Sequence, residues 1–271
     1  GLFTRENLAK IWVNYKLRRE DASSKIQKAS GLLREECGKP ICNPYTVKAL
    51  LDSGADVNDI DDNMYTPLLW SALKGHKGVV QILLEKAKST MDDQTFQGFL
   101  NGENEWGETA LHLAAFKGHE EVLSVLLSFG AVERVSIEEQ VLIAGAEVIN
   151  PLIPRQWVVE RLDSSETVSR YSNRRTALHS AAMKGHVGCV RILLVSGVDV
   201  GIQDNFEETA LHLAINNNHV AIALLLIETL SDIQLDLPNK EEYTALHLAV
   251  QKGHSEIVRA LLEAGAAVDA K

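Results

Sequence analysis

The chain has 271 residues, 45% hydrophobic and 24% charged, the balance of a folded soluble protein and not of a disordered one. Its net charge of -10 argues against general affinity for nucleic acid or anionic membrane. Aromatic residues are sparse at 6%, so aliphatic and alanine side chains must build most of the core.

Residues 3–20 read as an amphipathic helix. The first 40 residues carry nine Lys/Arg against five Asp/Glu, a net +4 in an otherwise acidic chain; a solvated basic helix is the plain account of this. Residues 23–36 read as the first half of a helix pair, and "TVKALLDSGADVN" at 46–58 as a clear second half. Together 1–58 is expected to be an N-terminal helix and a capping unit. Cys37, Cys42 and Cys189 are an odd, low count that favours a reducing compartment. Cys37 and Cys42 are five apart with no second Cys or His pair to join them, so no metal is expected.

Five segments then align: "TPLLWSALKGHKGVVQILL" at 66–84, "TALHLAAFKGHEEVLSVLL" at 109–127, "TALHSAAMKGHVGCVRILL" at 176–194, "TALHLAINNNHVAIALLLI" at 209–227 and "TALHLAVQKGHSEIVRALL" at 244–262. Thr66, Thr109, Thr176, Thr209 and Thr244 stand where a helix N-cap belongs. Gly75, Gly118, Gly185 and Gly253 follow the first helix, where a left-handed residue is needed, and Asn218 replaces that glycine once. The second helix carries apolar residues at helical spacing, as in Val122, Val125 and Leu126. The longest apolar run, 220–227, is too short to cross a bilayer, and the N-terminal residues lack the apolar core of a signal peptide. The expected location is intracellular, cytoplasmic with the nucleus left open.

These segments resemble the ankyrin repeat, whose signature is T-P-L-H-x-A-A-x-x-G-H followed by a second apolar helix. The resemblance implies an all-α solenoid of stacked helix-turn-helix units with hairpin fingers, one domain over 1–271 and monomeric. Within it, 64–131 is expected to hold two repeats with a lengthened loop near 88–104. Residues 171–271 hold three more. The T-A-L-H histidines step by 67 between His112 and His179, about twice the later steps of 33 and 35. A degenerate repeat over 132–170 fits that gap, with helices at 136–149 and 155–162, and a functional insert is the alternative. The chain lacks an initiator Met and ends on "EAGAAVDAK", and is read as part of a longer one.

All nine histidines fall on the repeat: His112, His179, His212 and His247 in T-A-L-H, and His76, His119, His186, His219 and His254 before the second helix. The resemblance implies hydrogen bonding between helix ends and loops, not metal binding or catalysis. "HEEVL" at 119–123 misses the zinc motif H-E-x-x-H at Leu123, and neither a P-loop nor a G-x-S-x-G elbow occurs. Neither an enzyme nor a cofactor is expected.

The resemblance implies protein binding through a concave face and the hairpin tips. The two positions before G-H place Leu73, Phe116, Met183 and Gln251 beside Lys74, Lys117, Lys184 and Lys252. An apolar strip along a lysine row suggests a partner segment that mixes acidic and apolar residues; plain solvation explains such lysines equally. Trp106 and Phe206 lie three before their Thr, at finger tips, as contact anchors. "LLDSGADVN" also resembles the surroundings of ankyrin asparagines that are hydroxylated, with Asn58 as the candidate. An adaptor or scaffold is the first reading. A regulatory domain of a larger enzyme, channel or immune-type receptor is the second, and a bacterial effector the third.

Overall fold

The computed structural model describes residues 4–18, 21–132 and 174–268. The degenerate repeat expected over 132–170 lies, apart from Val132, outside the described residues. The chain divides into two compact units. Among described residues the first holds 4–114 and 124–132, and the second 115–123 and 174–268.

The first unit begins with α1 (Arg5–Leu17), α2 (Ala22–Gly38) and α3 (Pro44–Asp52). Each start carries its own cap: Thr4, Asp21 and Asn43 accept from the backbone N–H of Asn7, Ser24 and Tyr45 at 3.2, 2.9 and 3.0 Å. α1 packs on α3, and α2 on α3 and α4 (Pro67–Lys74). Thr66 caps α4 through Leu69 N–H at 3.2 Å, with Pro67 in the first turn, where its missing N–H costs nothing. α5 (Lys77–Thr90) returns along α4. Leu33, Leu50, Leu68, Leu83 and Leu84 close the core.

The stretch expected as a lengthened loop near 88–104 instead carries a helix, α6 (Asp93–Leu100). Its reason is local. Asp92 caps the backbone N–H of Thr95 at 2.9 Å, and Phe96, Phe99 and Leu100, spaced three and four apart, are buried. Asn101 then accepts from Val132 N–H at 3.0 Å. α7 (Ala110–Lys117) and α8 (Glu120–Ser128) follow, and the division between units runs through this pair.

The second unit continues with three helix pairs: α9 (Ala177–Lys184) with α10 (Val187–Val195), α11 (Ala210–Asn216) with α12 (Val220–Ile227), and α14 (Ala245–Lys252) with α15 (Ser255–Glu263). A short α13 (Asp232–Leu235) occupies the longer 35-residue step. First helices stack on first helices and second on second. Ala181, Ala182, Ala214 and Ala249 are buried between them, small enough for the helices to approach closely.

The histidines tie this stack together. In α9, α11 and α14 the Nδ1 of His179, His212 and His247 accepts from the N–H of Thr176, Thr209 and Thr244, each at 3.2 Å. That leaves Nε2–H as the donor. It reaches the next repeat: Glu208 O at 3.0 Å from His179, and Tyr243 O at 3.2 Å from His212. The second set points the other way. His76 bonds Lys39 O at 2.7 Å, His186 bonds Phe116 O at 3.1 Å and His219 bonds Met183 O at 3.2 Å. Gly185, at φ 81°, is needed twice over: a Cβ there would also stand 2.6 Å from the His219 ring. Asn218 adopts the same left-handed backbone at φ 62°. Its Oδ1 takes the bond of His254 Nε2 at 3.0 Å.

Candidate interaction surface

Four of the fingers are each held by one Asx side chain five residues before the capping Thr. Asp61 accepts from Asn63 and Tyr65 N–H, Asn104 from Trp106 and Glu108, Asp204 from Phe206 and Glu208, and Asn239 from Glu241 and Tyr243, all at 2.8–3.0 Å. Two residues before the Thr the chain turns left-handed, at Met64, Gly107, Arg174, Glu207 and Glu242. Only one of these is glycine, so the others carry backbone strain. Glu242→Gly, at φ 64° on an exposed tip, is expected to raise unfolding free energy by about 0.5–1 kcal/mol. A urea titration reads this directly. An unchanged or lower midpoint would mean that the turn stores no strain.

Neighbouring fingers join through backbone: Glu105 N–H to Asn63 O at 3.2 Å, and Lys240 N–H to Phe206 O at 3.0 Å. This contact decides the fate of the two tip aromatics. Trp106 is half-buried, edge-on to the buried Tyr65 at 5.9 Å between ring centres. Tyr65 also stacks at 4.7 Å on Trp70, whose Nε1–H donates to Asp61 at 2.9 Å. Trp106 therefore joins a packed cluster with Tyr65 and Trp70. Phe206 stays 52% exposed.

Three lysines of the row lie against aromatic rings. Lys74 lies 5.6 Å from the centre of the Trp70 ring. Lys117 and Lys184 flank the half-buried Phe116 at 5.3 and 4.6 Å. Such contacts hold an ammonium at a defined place while leaving it wet. Leu73 and Met183 are half-buried. Met183 Sδ accepts from Arg175 Nη1 at 3.2 Å.

Three expected residues meet in the second unit. Phe206, Gln251 and Lys252 line one cleft of about 430 Å³, with Leu248 and Lys240. Arg175 forms part of the wall, pairing with Asp204 at 2.9 Å and Glu208 at 3.7 Å. Asn216 Nδ2 donates to Glu208 at 2.9 Å. Burial, then the nearby Asp204 charge, raises the Glu208 carboxyl above its ordinary pKa, against the pull of Arg175 and Asn216. Sequence reasoning missed Arg175, Glu208 and Leu248, whereas Asn216 stands in the same concave-face row as Gln251. Arg175 and Glu208 directly precede the capping Thr, and that shared position was the available signal. Leu73, Lys74 and Trp106 belong to the first unit, and Phe116, Lys117, Met183 and Lys184 to the second.

Among the described residues, no group of three or more His, Cys, Asp or Glu could hold a metal ion, and no helix is long and apolar enough to cross a membrane.

A family model described as "Ankyrin repeats (3 copies)" matches residues 41–136, 145–228 and 178–271. The chain is 29% identical over 190 residues to the transient receptor potential cation channel subfamily A member 1 homolog of Caenorhabditis elegans, covering 68% of this chain and 14% of that protein. It is 30% identical over 222 residues to the nuclear factor NF-kappa-B p105 subunit of Gallus gallus, covering 77% and 22%. With the E3 ubiquitin-protein ligase KEG of Arabidopsis thaliana it shares 26% identity over 198 residues, covering 69% and 12%. The chain thus spans less than a quarter of each of these relatives.

Proposed function

The chain belongs to the ankyrin-repeat family, and on that premise we propose that it acts as an adaptor or scaffold, gripping a partner protein with the finger tips and first-helix ends of its second unit. Ankyrin repeats are protein-interaction modules and a non-catalytic fold, and this chain is read as having no catalysis of its own. The observation that carries the site is the cleft in which the exposed Phe206 meets Leu248, Gln251 and Lys252. Phe206 and Leu248 offer apolar contact. Lys240 and Lys252 offer charge at the rim, and Asn216 and Gln251 offer amides that orient a peptide. The matching partner segment sets an apolar anchor beside carboxylates, and the lysines at 117 and 184 extend the same preference. An intracellular partner is part of this reading.

The relatives support a second reading that does not exclude the first. They are a cation channel, a nuclear factor subunit and a ubiquitin-protein ligase, in which the matched region is a small share of the protein. A regulatory interaction domain of such a larger protein would use the same cleft.

Phe206→Ala/Lys252→Glu is expected to weaken capture of cellular partners by at least about tenfold, as removal of an interface anchor does. Quantitative mass spectrometry of material retained by immobilised wild type and variant reads it, once thermal unfolding shows both folded. Equal retention of every partner would remove the cleft from the reading.

A further inference from the structure

Helix α1 has two apolar faces, and the fold uses one. Ala9, Val13 and Leu17, four apart, are buried where α1 packs on α3 and α2. Leu8, Ile11, Trp12 and Tyr15 form a second stripe at i, i+3, i+4 and i+7. This stripe is exposed, Ile11 to 61% and Tyr15 to 58%. Beside it opens a cleft of about 680 Å³, lined by Leu8 and Trp12 from α1 and by Ile41 and Tyr45 from the α2–α3 connection and the start of α3. Ile41 is 88% exposed. Four large apolar side chains along one short helix, two of them facing two more across a cleft, are a patch and not scattered surface hydrophobes.

The stripe is edged by cations. Arg5 lines the cleft. Lys16 lies 5.6 Å from the centre of the Trp12 ring, and Arg18 lies 4.4 Å from that of Tyr15. These belong to the first 40 residues, which carry +4 in a chain of net charge -10.

We propose that this stripe and cleft form a second docking surface, built from none of the residues of the second-unit cleft, and that its occupant is an acidic amphipathic helix of another protein. The charge selects an acidic partner. The shape selects a helix. Among the described residues the only β pairing is an isolated bridge between Glu103 and Thr109, so the stripe offers no strand edge to an extended peptide. A helix arrives with its backbone already satisfied and needs only an apolar groove. A second copy is disfavoured because two basic faces would meet. A lipid surface is disfavoured because Leu8 and Trp12 face Ile41 and Tyr45 across a cleft, which a flat surface does not fill.

The test uses the full chain and a fluorescein-labelled probe peptide about five helical turns long, with leucines along one face and glutamates beside them, read by anisotropy. The expected result is binding at least about tenfold tighter than for the same peptide with lysine in place of glutamate. Trp12→Ala/Tyr15→Ala should weaken it by a similar factor, and Lys16→Glu/Arg18→Glu should erase the preference for glutamate. Because Ile11 is so exposed, Ile11→Asp serves as a second variant that leaves the core untouched, with folding checked by circular dichroism. Phe206→Ala/Lys252→Glu should bind the probe as wild type does, which separates this surface from the proposed function. No binding of the glutamate peptide, equal binding of both peptides, or indifference to the stripe variants would each overturn the proposal. So would stripe-dependent dimerisation in sedimentation, or stripe-dependent binding to phosphatidylserine vesicles.

Discussion

Acidification from about pH 7 to about pH 4 is expected to remove about 3 kcal/mol of folding stability through each of His179 and His212. Both rings are buried. Burial, ahead of every other influence, lowers each to about 4 from an ordinary 6.5, although the carbonyls of Glu208 and Tyr243 pull in the opposite direction. The hydrogen bonds explain why the neutral form suits the fold: Nδ1 accepts from the capping Thr N–H while Nε2–H donates onward. A proton on Nδ1 would break the first bond. The folded-state pKa is depressed, so the unfolded chain takes up protons first. Stability is fully present above about pH 6.5 and drains away as pH falls through the folded value near 4. Urea titrations at steps across that window measure it. His179→Ala should cost about 2–3 kcal/mol at neutral pH, through the lost cap and the lost bond to Glu208 O. It should also flatten the pH dependence. Leu193→Ala, a cavity in the buried core, should destabilise comparably while keeping the slope. A slope unchanged in His179→Ala would put the acid sensitivity elsewhere.

Asp204→Ala is expected to cost about 3 kcal/mol, because three partners lose their acceptor in a buried place. The Asp204 side chain is fully buried and takes Phe206 N–H, Glu208 N–H and Arg175 Nε–H. Asp204→Asn separates the finger from the ion pair. Asn104 and Asn239 hold the equivalent fingers with a neutral amide, so the turn itself does not require charge. Asp204→Asn should therefore cost only about 1 kcal/mol, the worth of the lost charge on Arg175. Glu208 should also move back toward its ordinary pKa, since the Asp204 charge is one cause of its rise. Thermal and urea unfolding rank the two variants, and carboxyl NMR follows Glu208. Equal losses in both would mean that the ion pair, and not the turn, fixes the finger.

The parts legible in the sequence are those in which one side chain faces one local partner. Thr66, Thr176, Thr209 and Thr244 cap a helix three residues on. Gly75 and Gly185 turn left-handed, as does Asn218. The histidines bond helix ends. What the sequence hid depends on neighbours distant in the chain. Trp106 reads as a free tip residue until the adjacent finger sets Tyr65 beside it. Arg175 reads as a loop charge until Asp204, 29 residues on, meets it. α6 is a different failure: Phe96, Phe99 and Leu100 have helical spacing, yet eight residues between acidic and amide-rich flanks look like an insertion in a 33-residue register. The four finger-holding Asx residues stand five before their Thr, but Asp and Asn are common in loops and that spacing alone does not mark them.

Three of the imidazole bonds end on carbonyl oxygens of Phe116, Met183 and Glu208, which are also surface positions where a partner would be read. A carbonyl is present whatever side chain the residue bears. So far as these imidazole bonds are concerned, the side chains at those positions can change without loosening the stack, although Glu208 and Met183 also answer to Arg175. Position 218 is the exception, because His254 holds the Asn218 side chain itself. Variation there would have to be bought back by a compensating change nearby, so this corner of the surface is the least free to drift.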